Sequence, residues 1–526
     1  LAKLLQRVLG GLLPLLTLAA TAPVFHPRFY PDDPLLKDPK PLPVGKLKTD
    51  KLSDAGDFIH ETLREPGQKQ SKTNPTPSLD VNTIDELPDS PWYTNRHYFK
   101  PMSMDELTRG PGGTKPPSMT KPWVIYEAKL EGVTPGFRIK DAIGEKYVIK
   151  FDPKENNEMA TAADVIGAKF FYALGYNVPD NYPVRFRHEQ LRLGENIKFV
   201  RQGYKTVMQE ADLDHLLSKV PQYPDGSYRG MASRFIPGDI LGPFEYYGTR
   251  ADDPNDTIPH ERRRVLRGLY VFCSWLDHTD SRAINSLDTI QEIDGVRAVR
   301  HYLIDFGATL GSDSLIPKEA WQGHTYSVDF KWGLKQITTL GLASAPWERE
   351  RYEFPASAGK FEAETFEADK WKPTYPNPAF DNRTAADCFW AAKQVMAFTD
   401  DEIRALVATG QYSDPQAAEY VTRGLIGRRD KIGRYYFSQV LPLDRFSVEA
   451  GQLTWKDLAG KDSGGVGHYS IAWSKFDNNT GARTPLPGES SARVPAVPGY
   501  LAAEIGDGTH KAVVYLNDGK VVGVNR

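Results

Sequence analysis

Apolar and polar positions change their rhythm several times along this chain. Residues 147–151 are a short apolar run, Tyr147-Val148-Ile149-Lys150-Phe151, interrupted by one lysine, which predicts a buried strand. Apolar residues then recur at helical spacing over 157–174, with Gly175 as a stop and Pro179 beyond it. A second helical pattern covers 261–275, where Val265, Leu269, Phe272 and Leu276 form one apolar face. Three more helices are predicted at 385–398, 400–409 and 415–437. The tail turns to strands: 512–516 and 520–524 flank Asn517-Asp518-Gly519, a hairpin signal. Strands with one helix, then helices, then strands again predict an α+β protein with segregated layers. Residues 23–117 carry proline and charge with little periodicity, which predicts an extended arm with one short helix near 54–63. Trp92, Tyr93, His97, Tyr98 and Phe99 are the aromatic side chains that would pin it. No internal repeat and no heptad pattern is present.

A chain of 526 residues is too long for one hydrophobic core. The expected division is 1–22 as a signal sequence or membrane-docking segment, 23–123 as a proline-rich arm, 124–238 as a small lobe, 239–441 as a large lobe and 442–526 as a β-rich module. Hydrophobic residues at 40% and charged residues at 25% are ordinary globular proportions, and a net charge of −3 gives no basic field for nucleic acid. The two cysteines, Cys273 and Cys388, fall in apolar helical runs, so neither a disulfide network nor a zinc spacing is present. Lys3 and Arg7 precede an apolar run that ends in Ala20-Thr21-Ala22, a secretory layout; the alternative is an interfacial helix. The expected location is therefore a bacterial cell envelope, periplasmic or membrane-associated.

The chemistry concentrates between residues 278 and 311. His278 to Asn285 read HTDSRAIN, an H-x-D-x-x-x-x-N string, and Leu303 to Gly311 read LIDFGATLG, which contains D-F-G. Their order and inner spacing match the catalytic loop and metal loop of protein kinases. Upstream, the strand with Lys150 follows the V-A-I-K pattern, and Glu158 opens the next helical pattern on a face with Ala162, Val165 and Lys169. Glu158 is thus the expected ion-pair partner of Lys150 if helix packs on strand. Before that strand, Gly132-Val133-Thr134-Pro135-Gly136 would form a hairpin with backbone N–H groups over phosphates.

Together these strings resemble the protein-kinase-like superfamily, in particular its divergent bacterial branches such as the HipA-type and CotH-type kinases, over about residues 124–441. The resemblance implies a two-lobed protein-kinase-like fold, Mg and ATP as cofactors, and transfer of phosphate to a hydroxyl acceptor. Carried onto this chain, it makes Asp280 the catalytic base and Arg282 a basic group that steadies the transferring phosphate. Lys150, Glu158, Gly132 and Gly136 would bind the nucleotide, and Asn285 and Asp305 would hold the metal. His278 would pack beneath the D-F-G turn. Three departures stand out: an irregular glycine loop, a long interval between Asn285 and Asp305 filled by a hairpin-like stretch at 291–300, and no A-P-E motif. Two other classes remain open. One is an inactive kinase fold serving as a scaffold with protein partners in an envelope or membrane complex. The other is a hydrolase with His278, Asp280, His301 and Asp305 around one metal ion, a reading that leaves Lys150 and Glu158 without a role.

Overall fold

Strand Lys146–Lys150 alternates inward and outward residues, with Tyr147 and Ile149 buried. It pairs antiparallel with Gly136–Lys140 on one side and Tyr228–Arg234 on the other. The full sheet, a computed structural model shows, has six strands in the order Asn181–Phe186, Tyr228–Arg234, Lys146–Lys150, Gly136–Lys140, Trp123–Ala128, Leu191–Leu193. The last pair is parallel. Trp123, Phe137, Ile139, Ile149, Phe151 and Phe186 fill its core. The structure describes residues 26–526 except positions 34, 65, 72, 113–115, 129–135, 202–203, 341, 350–352, 461–468 and 489. The segment 1–22 and Gly132 therefore lie outside the described residues.

Helix Met159–Ala173 lies between this sheet and the larger, helical lobe, and every residue but Tyr172 is buried. Its small residues permit that double contact. A Cβ on Gly167 would meet the Cβ of Phe306 at 2.8 Å, so glycine sets how closely helix and D-F-G turn approach. The large lobe is built from Leu269–Leu276, Ala385–Val395, Asp400–Ala408 and Pro415–Phe437 around Phe272, Trp275, Trp390 and Phe398. Their starts are encoded locally: Thr384 with Asp387 and Thr399 with Glu402 form capping boxes, and Asp414 caps a helix with proline at its first position. The single helix expected over 261–275 is broken into Arg264–Arg267 and Leu269–Leu276. The break falls at Gly268, where a Cβ would meet the Trp390 ring at 2.6 Å.

The arm wraps the large lobe. Trp92 stacks on His301 with ring centroids 3.5 Å apart, and the fully buried Tyr93 donates its hydroxyl to Gln394 at 2.9 Å. Its helices are Asp54–Ile59, continued by a wider turn over His60–Arg64, and Met104–Arg109, capped by Ser103 and Glu106. Residues 312–378, irregular for the most part, contain the short helices Phe330–Thr338 and Pro346–Arg349. The C-terminal strands form a hairpin, Leu443–Glu449 with Gln452–Asp457, and a five-stranded sheet in the order Arg483–Pro485, Ser470–Phe476, Tyr500–Gly506, Lys511–Asn517, Lys520–Asn525. Its last turn places Asp518 and Gly519 at positive φ, 46° and 74°, as a tight hairpin needs. Among the described residues no helix is long and apolar enough to cross a membrane.

Candidate functional site

The Lys150 amine lies 2.8 Å from Asp305 Oδ1 and 3.1 Å from Asp164 Oδ2. The central strand, the buried helix and the D-F-G turn thus meet at one ammonium group. Asp164 is held on every side: it also accepts from Asn181 Nδ2 at 2.8 Å and from the backbone N–H of Phe306 at 3.2 Å. Burial works to lower the Lys150 pKa, but the two carboxylates outweigh it and hold the amine protonated, above its ordinary value.

Glu158 does not make the expected pair. It sits before the first turn of the helix at φ 74°, and its carboxylate accepts from the Tyr223 hydroxyl at 2.7 Å and from Ser413 N at 2.7 Å, with Arg229 3.6 Å away. The helix passes Lys150 more than a turn later, at Asp164. That residue was missed, yet it left a signal. It is the only acid inside helix Met159–Ala173, and an ionised carboxylate in so apolar a setting calls for a cation beside it.

The interval between Asn285 and Asp305 is spanned by a hairpin. Ser286–Ile293 pairs with Val296–Leu303 in unbroken antiparallel register from Ser286 opposite Leu303 to Ile293 opposite Val296. Asp294 and Gly295 make the turn, both at positive φ (52° and 74°). The ladder returns the chain to where it left, and Ile304 N donates to Asn285 O at 3.0 Å. The extra length therefore separates the two motifs in sequence while closing them in space.

Within the loop, Asp280 accepts from Arg282 Nε and from Asn285 Nδ2, each at 2.7 Å. With its nitrogen committed, Asn285 offers an incoming group its amide oxygen. Asp305, at φ 60°, keeps 42% of its side chain exposed. A half-exposed carboxylate and an amide oxygen are the hard oxygen donors that Mg2+ takes. The local charge agrees: Asp164 and Asp305 share one lysine, and Asp280 shares Arg282 with Asp57, 3.6 Å from that guanidinium. Burial, followed by the negative charges of Asp305 and Asp313, raises the Asp280 pKa against the pull of Arg282 and Asn285. The residues present thus fit a divalent cation.

Below the turn, Phe306 is fully buried and stacks on Phe171 with centroids at 5.0 Å, while His278 packs 5.9 Å from it. Burial, aided by Lys318, pushes the His278 pKa down to about 4, so the ring is neutral and packs as an aromatic group. His301 is engaged elsewhere, between Trp92 and Asp288 at 2.7 Å. The four groups of the hydrolase reading are accordingly not drawn into one ligand set. Gly136 begins the strand next to Lys150, directly opposite it in register.

No protein-family model matches the chain, and no curated protein sequence matches it. Among solved structures, the Helicobacter pylori proinflammatory kinase CtkA is similar at a TM-score of 0.31 and 12% identity, over 59% of this chain and 92% of that one. The Golgi casein kinase with Mn/ADP bound is similar at a TM-score of 0.30 and 8% identity, over 66% of this chain and 75% of that one. These likenesses are weak, and the geometry of the cleft carries the functional reading instead.

Proposed function

We propose that the protein is a kinase-like phosphotransferase that binds Mg-ATP in the cleft and transfers phosphate to a hydroxyl acceptor on a protein or small molecule. The observation that supports this most is the meeting of Lys150 with both Asp305 and Asp164 beside a loop carrying Asp280 and Asn285. Bound there, Mg-ATP would supply the phosphoryl group and the cation that offsets its charge. The chain's own residues do the rest. Lys150, anchored by Asp164, contacts phosphate oxygens. Asp305 and the Asn285 amide oxygen hold the cation. Asp280 accepts the proton of the acceptor hydroxyl, and its raised pKa favours that transfer. Arg282, tied to Asp280 and lying over the Tyr375 ring at 5.1 Å, steadies charge on the phosphate in flight.

Phosphoryl transfer to generic protein and small-hydroxyl acceptors tests this reading. Asp280→Asn should leave nucleotide binding near wild type and slow transfer by about 10²–10⁴-fold. Equal rates in the two proteins would remove Asp280 as the base. A wild-type chain that binds no nucleotide would favour the inactive scaffold. On the layout of residues 1–22 we also propose that the protein works with partners in a bacterial envelope, exported or held at a membrane. Its recovery from the soluble cytoplasm with residue 1 intact would overturn that location.

A further inference from the structure

A second cluster of charged groups lies outside the cleft, where the arm crosses the large lobe. One ligand atom each of His60, Glu61 and Glu245 falls within 4.8 Å of the other two. His60 and Glu61 come from the wide turn that follows the arm helix, and Glu245 from the chain after strand Asp239–Gly242. Glu61 is 2% exposed, and neither of its carboxylate oxygens has a hydrogen-bond donor. Buried carboxylates are ordinarily bonded or paired, and one with both oxygens unsatisfied calls for an explanation. The charged groups that act most on Glu61 are Asp57, Glu245 and Asp381, all acidic. Burial and these neighbours push Glu61 up to about 9, and burial with Asp57 pushes Glu245 up to about 7 against the pull of His260. The His60 ring is oriented by stacking on Tyr247, whose hydroxyl lies within 3.3 Å of both ring nitrogens.

We propose that His60, Glu61 and Glu245 form a binding site for a transition-metal dication such as Zn2+, one that clamps the arm onto the large lobe and is separate from the cleft. An imidazole nitrogen with two carboxylate oxygens is a donor set that zinc accepts, with a fourth position left for water. Ligand atoms of a tetrahedral zinc stand about 3.3 Å apart, given bonds of about 2.0 Å, so small side-chain rotations close the set. The metal would place a positive charge directly between the two carboxylates. It would also act near the catalytic loop, because Asp57 on the same arm helix lies 3.6 Å from Arg282.

The full-length chain, stripped with EDTA and titrated with ZnCl2, provides the test by calorimetry and thermal melting. One equivalent should bind and raise the melting temperature by several degrees, since a ligand that binds only the folded state stabilises it. Glu61→Gln keeps the side chain's shape and removes the carboxylate that would ionise to bind the metal; it should lose the zinc-dependent rise. His60→Ala, at a half-buried position that leaves both acids untouched, should weaken zinc at least tenfold and guards against a folding defect in the first variant. Asp305→Ala should bind zinc as wild type does. No zinc binding by the wild type, or an undiminished response in Glu61→Gln and His60→Ala, overturns the site. Loss of the response in Asp305→Ala overturns it too, by placing the zinc in the cleft.

Discussion

Asp277 and Asp305 flank the H-x-D loop and the hairpin that follows it, and are balanced in opposite ways. Asp277 ends helix Leu269–Leu276 at φ 55°, and its side chain is 5% exposed. It meets two cations, Lys318 and Arg428, each at 3.3 Å, and accepts from Trp371 Nε1 at 2.8 Å. Burial works to raise its pKa, yet Lys318 and Arg428 outweigh burial and hold the carboxyl well below the usual range. Asp305 shares Lys150 with Asp164 and stays half open. One carboxylate has more positive charge than it needs and no access. The other divides its cation with a second acid and stays partly open to solvent. The first arrangement stabilises a fold; the second leaves a place for a cation.

The largest expected effect breaks the closed side of this contrast. Asp277→Ala leaves Lys318 and Arg428 facing each other in a buried site, and should cost about 3–5 kcal/mol in denaturant unfolding. Lys150→Met leaves Asp164 buried without its cation and should cost about 1–3 kcal/mol, with nucleotide binding lost as well. Gly167→Ala presses a methyl into Phe306 and should cost about 1–3 kcal/mol while moving the D-F-G turn away from Lys150. Asp305→Asn, on the open side, should change stability by less than about 1 kcal/mol. A fall in stability with Asp305→Asn as large as with Asp277→Ala would erase the distinction. The smallest effect concerns pH. His278 folds with a pKa of about 4, below its ordinary 6.5, so the unfolded chain takes up a proton first as pH drops. The stability it contributes is full above pH 6.5 and is lost as pH falls towards 4. Acid melts of His278→Phe should show a shallower decline than wild type over that window.

Residues whose spacing is local were legible in the sequence. Asp280, Asn285 and Asp305 announce themselves by order and interval, and Asn517-Asp518-Gly519 marks the last hairpin within a few residues. The lysine strand was visible because one charge interrupts an apolar run. What depended on helix phase was lost. Periodicity placed Glu158 on a plausible face, but the chain enters its helix only at Met159, and Asp164 arrives at the lysine instead. The length between Asn285 and Asp305 looked like a departure until the ladder from Ser286 to Leu303 showed how it closes. Partners far apart in sequence left no trace: Lys318 and Arg428 carry no signal that both reach Asp277, and the arm's path is fixed only by contacts such as Trp92 on His301. Position 268 read as helix because its backbone stays in the right-handed helical region, and the Trp390 ring that excludes a side chain there is distant in sequence.

Asp305, which shares Lys150 with Asp164, is expected to recruit a cation together with a nucleotide. Titration of ATP into the full-length chain, with and without Mg2+, tests it most directly when repeated on Asp305→Ala. Saturable binding by the wild type should strengthen at least tenfold with Mg2+, with no such strengthening in Asp305→Ala. Binding that ignores Mg2+ in the wild type, or an equal Mg2+ response in the variant, would contradict it.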